Sequence, residues 1–249
     1  MTFVFVRILR KVEAVKTQRL LRGERFSNGQ VGVMLQPIVE LHRFPAFSKL
    51  PHAVAADARY LWVSSRETRR IDVIERDAFV KVAEIDPPGM PWGMTYGDGQ
   101  LVMTCGEEPD DTRRIRRYTM GSGFATGFVA CPDDTGSHLA IHDGRVLLGQ
   151  WYNRELLLLR EDGTVERTYT TPHGIAGVSV VDGIACVLGT DDEDDGEYWL
   201  TRIDLGDSAA QPQDIATVPF RARGLAWDGH RWWTNHREAD QIVAFVFPS

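Results

Sequence analysis

The sequence predicts an all-β protein, a β-propeller of five blades. Three observations carry that expectation: a hairpin that recurs about every 43 residues, a final unit one strand short, and a spare strand near the front of the chain. The hairpin appears as "HAVAADARYLWVSS", "WGMTYGDGQLVMTC", "HLAIHDGRVLLGQW", "GVSVVDGIACVLGT" and "GLAWDGHRWWTNHR". Each joins two short apolar strands through a turn aspartate: Asp57, Asp98, Asp143, Asp182 and Asp228, at intervals of 41, 45, 39 and 46 residues. Gly follows the Asp in four of the five, the pair that supplies positive φ to a tight hairpin; Ala58 is the exception.

Each unit then adds outer strands. After "LWVSS" the first continues into "RRIDVIE" and "AFVKVAEI". After "LLGQW" the third continues into "RELLLLRE" and "TVERTYT", joined by "EDG". Four antiparallel strands in about 43 residues is the pattern of a propeller blade. The last unit has only "GLAWDG", "RWWTN" and "QIVAFVF" before Ser249, whereas "LQPIVELHRF", Leu35 to Phe44, is a lone strand ahead of the first unit. Placing it as the outer strand of the last blade closes the ring and removes an open sheet edge. Six blades would require strands from residues 1 to 34. Those residues instead show helical spacing in Ile8, Val12, Val15, Leu20 and Leu21, ending at Gly23.

The expected organisation is therefore a propeller over residues 34–249 behind an N-terminal extension of residues 1–33, either an appended helix or sequence upstream of a start at Met34. The extension carries seven Lys/Arg against Glu13 and Glu24, and its basic residues follow the apolar opening "TFVFVRIL" rather than precede it. That is the wrong order for a secretory signal. Over all 249 residues the chain is 43% apolar and 25% charged, with net charge −7. The acidic balance excludes a phosphate-tracking nucleic-acid binder. No apolar run approaches the ~18 residues of a membrane span. Cys105, Cys131 and Cys186 are odd in number and lack metal-type spacing, so buried, reduced thiols in a cytoplasmic protein are expected.

The unit opening "P-H/W-x-apolar" followed by "DG-x-apolar-W-V-S/T" resembles the repeats of virginiamycin B lyase-like, NHL and gluconolactonase propellers over residues 50–249. The resemblance implies the propeller fold and, for function, a lyase- or hydrolase-like action on a small polar molecule. The alternative is a non-catalytic propeller that binds a ligand or protein. The Phe-Thr-Gln-Gly opening associated with five-bladed plant-type glutaminyl cyclotransferases is absent. No WD-repeat signature is present either, since "AWDG" places its Trp-Asp in the first hairpin.

In a propeller the inner strands start at the mouth of the central channel, which predicts where a site would lie. The residues at those starts are His52, Trp92, His138, His173 and Arg223. Loops on the same face add Arg66, Glu107, Trp151, Asp191 and His236. Three roles compete for His52, His138 and His173. As metal ligands they would hold a divalent cation with one position open. As acid/base groups they would serve a lyase or hydrolase, with Arg223 or Arg66 holding an anion. As packing residues they would fill the channel without chemistry. Arg223, Trp151, Trp92, Glu107, Arg66 and His236 are the expected substrate-binding set, Trp92 and Trp151 offering flat faces. Carboxylates from blades two to four would face arginines from blades five and one, a mouth suited to a zwitterionic or metal-bridged molecule. The acidic stretch "TDDEDDGEYW" imitates a calcium loop but has Arg202 where the twelfth-position Glu belongs, and is expected to be a solvated hairpin loop. Trp62, Trp232 and Trp233, on second strands, are expected to fill the wedges between blades.

Overall fold

The computed structural model describes residues 34–194, 196–207, 209 and 211–248. The N-terminal extension expected at 1–33 lies outside the described residues. The rest is a five-bladed β-propeller, with one antiparallel sheet per blade. The first blade runs Pro51–Ala56, Tyr60–Ser65, Ile71–Glu75 and Val80–Ile85 from the channel outwards. The third runs Leu139–His142, Arg145–Gln150, Glu155–Leu159 and Val165–Thr170, and the fourth Gly174–Val181, Ile184–Thr190, Tyr198–Asp204 and Gln213–Val218. The second has Met90–Gly97, Gln100–Glu107 and Thr112–Thr119, with its outer edge made of the two-residue strands Gly123–Phe124 and Val129–Ala130. The fifth is Ala222–Trp227, Trp232–His236 and Gln241–Val246, completed by Val39–Pro45 from the other end of the chain. Val39 pairs with Val246 and Pro45 with Gln241, so the predicted closure is formed, a few residues later than Leu35 to Phe44.

The core is divided as the repeat requires. Five apolar clusters occur among the described residues, and each is built from two neighbouring blades. Trp62 faces the second blade among Met94, Leu101 and Met103, while Trp233 faces the first among Val54, Leu61 and Ile74. Trp232 fills the wedge between the fourth and fifth blades. A flat sheet twisted about a ring leaves a gap that widens outwards, and large aromatics on second strands fill it at interior density. All three tryptophans are fully buried.

The turn aspartates split into two kinds. Asp98, Asp143 and Asp182 have φ near +50° and precede glycines of positive φ, the hairpin type the sequence predicts. Asp57 and Asp228 instead use their side chains. Asp228 accepts from the backbone N–H of His230 and Arg231 and from Trp233 Nε1 at 2.7 Å; Asp57 does the same with Arg59, Tyr60 and Trp62 Nε1. Asp228 thus belongs with Asp57 despite its following glycine.

The innermost strands pack directly on one another, which requires small residues at the crossing. A Cβ on Gly93 would meet Ser137 O at 2.1 Å, and one on Gly177 would meet Gly224 C at 2.8 Å. At the same level the inner strands bulge: the register slips between Pro51 and Val54, Pro91 and Gly93, Ile175 and Gly177, and Arg223 and Ala226. A bulge re-aims one side chain, and here it turns His52 and Trp92 into the mouth. Cys105, Cys131 and Cys186 are buried free thiols, and burial pushes both Cys105 and Cys131 up to about 12. Among the described residues no helix is long and apolar enough to cross a membrane.

Candidate functional site at the channel mouth

The mouth holds a cavity of about 250 Å³ whose polar lining comes from several blades: His52, Arg66, Trp92, Arg113, Trp151 and Arg223, with Glu193 at its rim. Size and lining suit a small molecule with an apolar body and a few polar groups. Arg223 is the best fixed of these. Its guanidinium carbon sits 4.7 Å above the Trp151 ring, its Nη2 meets Glu193 Oε1, and the whole residue is 5% exposed. Arg113 and Arg66 lie over the Trp92 ring at 4.3 and 5.3 Å. Trp92 Nε1 donates to Asp111 Oδ1 at 3.0 Å, and Asp111 Oδ2 also takes Arg113 at 2.7 Å. Gly106 makes that contact possible, because a Cβ there would stand 1.6 Å from Asp111 Oδ1.

Beneath this rim His52 and His138 are stacked, ring centroids 5.7 Å apart, and Trp92 meets His52 edge-on at 5.2 Å. Burial, then the positive charge of Arg223, holds both imidazoles well below their ordinary 6.5. They are therefore neutral at physiological pH, each with one donor and one acceptor nitrogen. His52 Nδ1, His138 Nε2 and Arg223 Nε are buried without a hydrogen-bond partner. Buried polar atoms are satisfied in the great majority of cases, and two of these orphans, on His52 and Arg223, belong to residues that line the cavity and can meet a polar group there.

The structure brings together His52, His138, Arg223, Trp151, Trp92 and Arg66 from the expected set. It does not bring His173 to them. That ring stacks on Trp199 at 4.0 Å, with Nε2 3.4 Å from Asp214 Oδ2. Its Nδ1 is 3.1 Å from Asp191 Oδ1 but lacks hydrogen-bond alignment. The cause is register. His52, His138 and Arg223 stand five residues before their turn aspartates and Trp92 six, whereas His173 stands nine before Asp182. The bulge position in the fourth blade is Ala176, which sends no polar group into the mouth. The three-histidine centre is thus not assembled, and among the described residues no group of three or more His, Cys, Asp or Glu side chains could hold a metal ion.

Glu107 and His236 are also placed elsewhere. Glu107 lies on the same face of its strand pair as Arg114 and Arg116 and binds both, at 2.6 and 2.7 Å. The Arg116 hydrogen bond outweighs burial and holds its carboxyl below the usual range. His236 stacks on Phe220 at 4.7 Å. The acidic segment after Thr190 is also more than a solvated loop, because Glu193 reaches the mouth arginines. Sequence reasoning missed Arg113 as well. It sits in the arginine-rich third strand "TRRIRR", where nothing in the pattern separates it from Arg114, Arg116 or Arg117.

No protein-family model matches the chain, and no curated protein matches it by sequence. Solved structures do match its fold. Glutaminyl cyclase of Myxococcus xanthus aligns over 86% of this chain and 100% of its own, with TM-score 0.63 and 10% identity. The Pan2 WD40 domain of Neurospora crassa aligns over 87% and 97%, with TM-score 0.54 and 10% identity. Hydrazine synthase of Kuenenia stuttgartiensis aligns over 79% of this chain, with TM-score 0.52 and 12% identity, and the match spans only 64% of that chain. At such identities the likeness defines the fold class alone: the protein is a β-propeller, a fold shared here by enzymes and by a WD40 domain.

Proposed function

We propose that the protein takes a small anionic organic molecule at the channel mouth. The observation that carries this is the convergence of Arg66, Arg113 and Arg223 on one cavity, with orphaned Arg223 Nε and His52 Nδ1 beside it. Trp92 and Trp151 supply flat faces for the ligand's body. Arg223 is pre-positioned by its stacking on Trp151, so little side-chain entropy is lost when it binds an anion. The lyase- or hydrolase-like reading, drawn from repeats resembling the virginiamycin B lyase-like, NHL and gluconolactonase group, assigns proton transfer to His52. A neutral imidazole is the base form, and an anion bound at Arg223 would cancel part of the positive field that weakens it. Three buried unpaired thiols favour a cytoplasmic setting.

The test is a thermal-shift and tryptophan-fluorescence screen with benzoate, succinate, inorganic phosphate, benzylamine and glucose. Acids should raise the melting temperature and change the emission of Trp92 and Trp151. An R66A/R113A double variant should keep its fold and respond less, because two of the three guanidiniums on the cavity are gone. Stabilisation by benzylamine or glucose but by none of the acids would overturn the proposal.

A further inference from the structure

Glu193 presents a carboxylate to the mouth from within the chain. It lies in the loop after Ile184–Thr190, and it is the one carboxylate residue lining the cavity among the described residues. Its Oε1 meets Arg223 Nη2 and its Oε2 stands 3.4 Å from Arg237 Nη1. Arg223 is fixed by Trp151 and by burial, while the Arg237 main chain is held by its N–H bonded to Arg221 O at 3.0 Å. Glu193 is more than a third exposed at its side chain: its carbonyl accepts from Tyr198 Oη at 3.1 Å, and among the described residues its carboxylate pairs only with the arginines. A solvent-reachable carboxylate thus bridges the anchored guanidinium of Arg223 and that of Arg237 at the edge of a cavity. Beside it, buried Arg223 Nε and His52 Nδ1 remain without partners.

Resting on the small-anion reading of the mouth, we infer that Glu193 is an internal stand-in for the ligand's own carboxylate, and that the ligand class is small organic carboxylates. The incoming carboxylate takes the Arg223–Arg237 position, and the Glu193 side chain swings out to water. The class is carboxylate because that is the group the chain itself places across the two guanidiniums. Glu193 also sets affinity. While it is seated, only the fraction of molecules with the side chain out can bind, and the apparent dissociation constant rises by that factor. A carboxylate seated about 90% of the time weakens binding about tenfold.

The experiment compares benzoate and inorganic phosphate by calorimetry on the wild-type chain, Glu193→Gln and Glu193→Asp. Gln cannot form the ion pairs; Asp keeps the charge but is one methylene too short to span both arginines. The expected result is benzoate binding about tenfold tighter in both variants, with phosphate weaker than benzoate throughout. If only Glu193→Gln tightens, and benzoate and phosphate gain alike, the effect is bulk charge and the stand-in role is wrong. If benzoate binds the wild-type chain but neither variant binds it more tightly, the stand-in role also fails while the mouth remains an anion site. If neither anion binds any of the three proteins, the small-anion reading itself fails.

Discussion

The side-chain amide of Asn235 donates to the backbone carbonyl of His52 at 2.8 Å, although 183 residues separate them. Asn235 is on the second strand of the last blade and His52 on the innermost strand of the first, so the bond crosses the seam at which the ring closes. It also fixes the main chain at the bulge that aims the His52 ring into the mouth. Other seams use hydroxyls in the same way: Ser64 Oγ donates to Pro91 O at 3.0 Å, and Thr104 Oγ1 to Ser137 O.

Asn235→Ala leaves a buried carbonyl unpaired at the seam. The expected cost is about 1–3 kcal/mol in urea unfolding, with the slope of the transition unchanged. Because the bond positions His52 rather than any arginine, anion binding should weaken less than in R66A/R113A. A variant as stable as wild type would show that the bond contributes nothing to closure.

Truncation tests the closure itself. Removing residues 1–45 takes away Val39–Pro45, bares the edge of Gln241–Val246 and removes buried Ile38 from the interface of the fourth and fifth blades. At roughly 1 kcal/mol for each lost ladder bond, the loss is several kcal/mol, about 10 °C or more in melting temperature for a domain of this size. Removing residues 1–33 should leave the melting temperature near that of the full chain. Equal melting of the two truncations would contradict the seam.

Two aspartates that look alike in sequence should differ in cost. Asp228 is buried at its side chain and bonds two backbone N–H groups, Trp233 Nε1 and the Arg231 guanidinium. Asp143 is an exposed residue of positive φ in its turn. Asp228→Ala should therefore cost about 2–4 kcal/mol and Asp143→Ala about 1 kcal/mol or less, read by chemical unfolding. The order would be reversed if backbone conformation rather than side-chain bonding dominated both turns.

That contrast explains what the sequence can and cannot express. Blade number, closure and the wedge tryptophans follow from a repeating pattern with local causes: alternation, turn chemistry and the count of strands. Much of the candidate site was legible for the same reason, since His52, His138 and Arg223 occupy one repeat position, Trp92 lies one residue from it, and Arg66 and Trp151 follow the second strands of their blades. His173 departs because "PHGIAGV" places four more residues between its histidine and its turn than "PHAVAAD" does, and a matching Pro-His pair hides the slip. Arg113 and Glu193 have no repeat position at all. Their place depends on how a third strand and a loop lean over the channel, which is a tertiary outcome with no local pattern.

The last prediction concerns acid. His52 and His138 are held well below 6.5 in the folded protein, chiefly by burial and then by Arg223, with Arg237 also facing both and Arg66 facing His52. In the unfolded chain the same imidazoles titrate near 6.5. Between the two values the unfolded state binds more protons, so stability rises with pH across that window. The contribution is fully present above about 6.5 and is lost as pH falls through the lowered folded-state values. Unfolding free energy in the wild-type chain should stay level from pH 7.5 to about 6.5 and then decline towards pH 5. His138→Gln keeps a polar side chain but removes one titrating group, so its decline over that range should be shallower. An identical slope in wild type and His138→Gln would mean that the stacked imidazoles admit a proton at little cost, and that the mouth is wetter than its burial indicates.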